Sequence, residues 1–188
     1  MQYDTHQKFA PTTVLLHWLV GLIIIGMLAS GVYMVEENAY WVFSWHKSFG
    51  FIVLFLALAR VAWRLKNGWP TAAGDYTAFV HGVAKVIHWV LIISTLLMPI
   101  SGLMTSVLGG HGLSVFGLEV FAQNFSVEDP EKTLPINYEL SKFGGTVHHY
   151  LGYVLIGAVV LHVAGALKHH IMDKDGTLRR MLGKAFND

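Results

Sequence analysis

Four stretches of this chain, at 13–35, 40–63, 86–108 and 143–167, are each long and apolar enough to cross a lipid bilayer as a helix. About 20 helical residues span the roughly 30 Å hydrocarbon layer. Composition agrees: 54% of the 188 residues are hydrophobic and 13% charged, against about 25% charged in an ordinary soluble domain. The second stretch is the weakest, since its uncharged part runs only from 48 to 59. Lys47 and Arg60 flank it, and their long stems can snorkel to either surface. No basic run precedes the first stretch, and it exceeds a usual signal-peptide core, so it is read as a span. The expected fold is an all-α membrane bundle of four helices, one domain over 1–188.

Charge placement orients the bundle. With four spans both termini share a side. On that side fall Lys8, Arg60, Arg64, Lys66, Lys85, Lys168, Lys174, Arg179, Arg180 and Lys184. Lys47, Lys132 and Lys142 fall on the other. Basic residues stay inside, so both termini are expected in the cytoplasm. The outer surface then holds Glu36, Glu37, Glu119, Glu128, Asp129, Glu131 and Glu139 and is acidic. The connection at 109–142 is long, and loops of that length are usually functional. It is expected to cover the outer end of the bundle.

Inside this apolar frame sit histidines, which are costly there and point to function. His148 and His162 are fourteen residues apart with no charge between them. Fourteen residues is close to four helical turns, so both imidazoles share one face, about 21 Å apart along the axis. His17 opens the first span near the inner surface, and His46 opens the second near the outer surface. Depth alone pairs His17 with His162 and His46 with His148. Bundles hold cofactors between facing helices in this way. With no cysteine in the chain, thiolate haem attachment, iron–sulfur clusters and cysteine zinc sites are excluded. Two imidazoles per site fit a non-covalent b-type haem, His17 and His162 on the inner iron, His46 and His148 on the outer. A coordinatively filled iron carries electrons rather than oxygen. One shared zinc ion is excluded by the 21 Å offset, about tenfold a metal–ligand bond.

Other residues keep two readings. Arg60 and Arg64 are four apart and share a helix face; they either fork onto haem propionates or anchor the inner surface. Lys47 is a weaker candidate at the outer haem. His81 and His88 share a face and either form a further site or bond to headgroups or propionates. His6, His111 and His149 need no special role. The many glycines within the spans are read as helix-packing residues.

These residues resemble the bacterial cytochrome b561 family of small di-haem membrane proteins. The stretches that carry the likeness are His17-Trp18, W-H-K-S-F-G at 45–50, A-R-V-A-W-R at 59–64, H-H-Y-L-G-Y at 148–153, His162, and A-L-K-H-H-I-M-D-K-D-G-T-L-R-R-M at 166–181. The resemblance implies two b-type haems on the same four histidines, a bacterial inner-membrane location, and electron exchange with ubiquinone. It also implies a quinone near the inner end with His169 beside it, where a histidine can exchange protons near neutrality. One family member is an oxidoreductase that passes electrons from periplasmic superoxide to ubiquinone. The acidic outer face argues against simple transfer of that activity, because an anion is steered by positive charge. It better suits a basic periplasmic redox protein, which this chain would serve as a membrane electron-transfer subunit. A third alternative is a transporter without haem; the lack of paired carboxylates in the spans argues against it. Lipid and quinone are the expected partners, and nucleic acid is not.

Overall fold

The computed structural model describes residues 3–186. Helix α1 covers Pro11–Glu36, and α2 covers Phe43–Asn67 after a 3-10 turn at Tyr40–Val42. Helix α3 covers Ala78–Leu108 and α4 Tyr138–Lys168. The last runs on through a π turn at His169–Asp173 before a short α5 at Thr177–Met181. Between α3 and α4 lie strands β1, Leu113–Val115, and β2, Leu118–Phe121.

Four helices are long and apolar enough to cross a membrane. They have 25 to 31 residues, about 37–46 Å at 1.5 Å per residue, so their ends project beyond the hydrocarbon. Helix α3 starts eight residues before the apolar run at 86. Hydropathy reads only the part in lipid, whereas the helix begins where the Thr77 hydroxyl caps the Val80 amide. Asn137 does the same for α4, accepting from the Leu140 amide at 3.0 Å.

The bundle is apolar outside and small inside. Leu15, Leu22, Phe55, Val86 and Val160 are more than half exposed, as lipid-facing side chains must be. The most extensive helix pairing is α3 on α4. Gly144 permits it: a Cβ there would lie 2.8 Å from the Met104 Cβ and 3.0 Å from the Ser101 carbonyl. Small residues let membrane helices approach in this way. One buried cluster, Val20, Ile24, Val53 and Leu155, fills the middle of the bundle, flanked by Leu91, Met98 and Val159.

The long loop folds over one end. Strands β1 and β2 pair antiparallel, with Ser114 opposite Glu119 and Val115 opposite Leu118. The turn between them carries Phe116 and Gly117, both with positive φ. The hairpin docks on α2: the Ser48 hydroxyl accepts from the Phe116 amide at 3.0 Å, and Leu113 is fully buried. The Lys47 ammonium also ties the loop down, reaching Ser106 Oγ at 3.3 Å and the His111 and Gly112 carbonyls at 3.4 Å. At the opposite end the termini are laced together. Asp4 accepts from Thr13 Oγ1 at 2.8 Å and from Arg64 at 3.1 Å, and Arg180 donates to the His6 and Thr71 carbonyls.

Candidate haem sites

Helices α1, α2 and α4 bring the sequence-paired histidines close together. His17 of α1 and His162 of α4 have ring centres 6.1 Å apart at the end that carries the termini. His46 of α2 and His148 of α4 are 6.2 Å apart at the hairpin end. Two metal–imidazole bonds of about 2 Å, plus about 1 Å from each nitrogen to its ring centre, sum to about 6 Å. Each gap therefore suits one metal held by two imidazoles. The apolar cluster of Val20, Ile24, Val53 and Leu155 lies between the two pairs, since each of these residues falls between ligand depths on its helix.

Ring orientation at the hairpin end follows from local hydrogen bonds. His148 Nδ1 lies 2.9 Å from the Met98 carbonyl oxygen and 3.2 Å from Ser101 Oγ. A carbonyl only accepts, so Nδ1 carries the proton and Nε2 keeps its lone pair for a metal. Ser101 gives its own proton to that same carbonyl at 2.9 Å. His46 Nδ1 lies 2.9 Å from Ser30 Oγ, whose proton goes to the Met27 carbonyl at 2.9 Å. A second partner that fixes the tautomer is the usual support of a metal-bound histidine. Gly102 leaves the room His148 needs, because a Cβ there would stand 3.1 Å from its Cε1. Ser30 and Ser101 carried no sequence signal, as serines are common in membrane helices and their partners are distant in the chain.

At the terminal end Arg60 Nη2 is 3.1 Å from His17 Nδ1. Among the described residues no carboxylate pairs with Arg60, while Arg64 is taken by Asp4 and the Gly68 carbonyl. The arginine pair thus divides: Arg64 latches the N-terminal segment, and Arg60 presents a partly buried guanidinium with room for an external carboxylate such as a propionate. His88 comes within 5.3 Å of the His162 ring, a third imidazole at this end. His81 instead sits 5.4 Å from Tyr76, so the structure separates two residues that share a helix face.

Two glycines near the terminal-end pair have open surroundings. Gly165, three residues beyond His162, would carry a Cβ that meets nothing within 4 Å, and so would Gly21, four beyond His17. Helix packing is not what these two glycines provide. The donor set and the ring spacing fit haem.

His169 lies in a separate polar cluster. Its Nδ1 is 2.7 Å from Asp173 Oδ2 and 3.4 Å from Asp175 Oδ2. Lys168 also bonds Asp173, at 2.7 Å. The Tyr76 ring lies 4.5 Å from that of His169, tilted against it, and its hydroxyl donates to Asp175. Burial and the Asp175 carboxylate push the Tyr76 phenol up to about 12. Burial opposes ionisation of Asp175, but the Tyr76 hydroxyl and the Thr177 amide more than offset it and hold its carboxyl below the ordinary range.

The family model for prokaryotic cytochrome b561 matches residues 8–184. Cytochrome b561 homolog 2 of Escherichia coli (strain K12) is 32% identical over 98% of this chain and 96% of its own length. The probable superoxide oxidase CybB of Yersinia pestis is 29% identical, over 95% and 98%. Cytochrome b561 homolog 1 of Escherichia coli (strain K12) is 25% identical, over 93% and 97%. With four membrane-length helices and a family match over nearly its whole length, the chain belongs to the prokaryotic cytochrome b561 family of membrane electron-transfer proteins.

Proposed function

We propose that this chain is a di-haem cytochrome that moves single electrons across the bacterial inner membrane, between a periplasmic one-electron donor and the quinone pool. The observation that carries it is the pair of facing histidine sets, 6.1 and 6.2 Å across, stacked through an apolar layer. In this reading His17 and His162 hold the inner iron, and His46 and His148 the outer. When bound, each bis-histidine haem supplies a one-electron couple. The protein's part is orientation and charge. Ser30, Ser101 and the Met98 carbonyl fix the outer imidazoles, and Arg60 offers a cation to an inner propionate. The excess of basic residues at the terminal end supports a cytoplasmic side for both termini in this reading.

Superoxide is the donor this reading favours, supported by the likeness to a probable superoxide oxidase. Two superoxide anions would each give one electron and leave as dioxygen. One quinone would take both electrons with two protons and leave as quinol. His169, held between Asp173 and Asp175 beside Tyr76, is placed to pass those protons at the cytoplasmic surface. A second reading is favoured by the acidic outer face: a membrane subunit fed by a basic periplasmic redox protein. Lys47 keeps its charge while it holds the loop, but with Lys132 and Lys142 it is outnumbered by the seven acidic residues of that face.

The test is haem per polypeptide in purified protein with a reduced-minus-oxidised spectrum, followed by superoxide-driven quinol formation. Two b-type haems and quinol yield support the first reading. Two haems without quinol from superoxide support the second. A colourless protein that folds with adequate haem supply overturns both.

A further inference from the structure

The hairpin between α3 and α4 ends in an uncharged, apolar turn. Residues 113–118 read L-S-V-F-G-L, and the first charge follows at Glu119. At this tip Phe116 is 50% exposed and Leu118 72%. The tip lies against the flank of α2, where the Phe116 ring meets Trp45 at 5.7 Å and Phe49 at 5.3 Å, both edge-on. Trp45 stacks on Phe49 at 6.4 Å, and both remain exposed. The hairpin bonds to α2 through Ser48. Phe55 is seven residues further on, two helical turns, so it shares the Ser48 face. Phe55 is more than half exposed within a membrane-length helix. The hairpin is therefore docked on a face of α2 that meets lipid one step deeper.

Depth puts the contact at the lipid boundary. Helix α2 has 25 residues, about 37 Å at 1.5 Å each, so a layer of about 30 Å centred on it leaves about 4 Å at either end. Ser48 is five residues below Phe43, about 7.5 Å down the axis, and opens the uncharged stretch 48–59. Non-helical backbone at that depth must have its polar groups met by protein. Ser48, 1% exposed, meets them: its hydroxyl accepts from the Phe116 amide at 3.0 Å and shares its proton between the Ser44 and Ser114 carbonyls at 2.8 and 3.3 Å. Val115 pairs with Leu118 across the turn, and Ser114 with Glu119. Glu119 is one residue up the strand from Leu118, about 3.3 Å, and projects to the opposite face. A carboxylate near the interface costs little. Glu128, Asp129 and Glu131 belong to the other arm of the loop, beyond β2. The tip thus offers lipid apolar side chains and no charge.

We propose that the hairpin tip is a lipid anchor: Phe116 and Leu118 insert at the headgroup–acyl boundary of the leaflet at the hairpin end, and Trp45 and Phe49 flank them as an aromatic belt. The loop over the bundle end is then held from two sides, by the Lys47 ammonium on the protein and by lipid around the tip. The anchor rests on the membrane-length helices and the hairpin contacts, and not on the proposed electron-transfer function.

The chain has no cysteine, so single introduced cysteines can be labelled without background. Phe116→Cys and Leu118→Cys, each made in the whole chain, carry a bimane fluorophore in phosphatidylcholine nanodiscs. Two quenchers are compared: a phosphatidylcholine spin-labelled near the top of its acyl chain, and aqueous iodide. Phe55→Cys marks the lipid end of the scale. Val127→Cys marks the water end, since Val127 is 98% exposed and precedes Glu128 and Asp129. The ratio of lipid to iodide quenching at both tip positions should be several-fold above that at Val127→Cys. A tip ratio no higher than at Val127→Cys overturns the anchor and leaves this face open to water or to a protein partner. Should Phe116→Cys fail to fold for want of its contacts with Trp45 and Phe49, Leu118→Cys decides alone, because a side chain 72% exposed leaves little packing behind. Failure here leaves the haem reading untouched, because neither quencher reports on haem content.

Discussion

Gly165→Leu separates a haem site from an empty groove. In the protein alone the substitution is benign. A Cβ at 165 meets nothing within 4 Å, and replacing glycine inside a helix gains about 0.8–1 kcal/mol of propensity. The helix should be as stable as before or more so. With a macrocycle on His162, three residues away on neighbouring turns, the leucine enters occupied space. Forcing extra methylenes into a filled site costs about 1–3 kcal/mol. At 1.4 kcal/mol per tenfold, inner-haem affinity should fall roughly 5- to 140-fold. The assay is haem per polypeptide after purification under limiting haem, with thermal unfolding as a control. The expected result is loss of one haem and an unchanged or raised Tm of the apoprotein. Gly102→Val gives the complement, because its Cβ would press on His148 at 3.1 Å and should release the outer haem instead. A Gly165→Leu protein that keeps both haems at full affinity would falsify the placement of a macrocycle beside His162.

The other predictions are quickly stated. His17→Ala and His162→Ala should each abolish the same haem, and His46→Ala and His148→Ala the other; four distinct haem patterns would break the pairing by depth. If superoxide is a substrate, its second-order rate should rise with ionic strength, because seven acidic residues face three basic ones on the outer side and salt screens their repulsion. A falling rate would mean that a local positive patch near Lys47 and Lys142 governs capture. The Asp175 carboxyl is held low in the fold, so its contribution is complete above the ordinary carboxylate value of about 3.9 and is lost as pH falls through the lower folded value. Pepsin cleavage of the tail should therefore accelerate only in that acid window. Tyr76 works from the other side: its contribution is present below the ordinary value of 10.0 and lost as pH rises through about 12. One tyrosine should ionise late in an ultraviolet titration and vanish from it in Tyr76→Phe.

The bundle and the two close histidine pairs were legible because each is written in depth along an apolar segment. A span shows as composition, and a histidine inside one is too costly to be decoration. Depth then pairs four of the eleven histidines on three helices, although it does not reveal that His88 also comes within 5.3 Å of the His162 ring. What stayed hidden depends on azimuth and on contacts between helices. Arg60 and Arg64 share a helix face, yet one reaches His17 and the other Asp4, because an N-terminal segment with no hydropathy signal folds back over the bundle end. Gly165 and Gly144 look alike in the sequence. One lies beside open space and the other lets α3 touch α4.

The serines were hidden for a related reason, and they carry the chemistry furthest. Ser30 is on α1 and His46 on α2, while Ser101 is on α3 and His148 on α4. Each outer imidazole is thus oriented by a helix other than its own, and the same serines send their protons back to their own helix carbonyls. A shift of either helix pair would change both the tautomer and the aim of the ligand. The hairpin-end imidazoles are therefore oriented by helix packing, whereas at the terminal end His17 has the Arg60 guanidinium as its hydrogen-bonding neighbour. Substitutions in the α3–α4 seam, such as Gly144→Val, should disturb the outer haem before the inner one. A spectrum showing the inner haem lost first would mean that packing, and not Arg60, governs the terminal end.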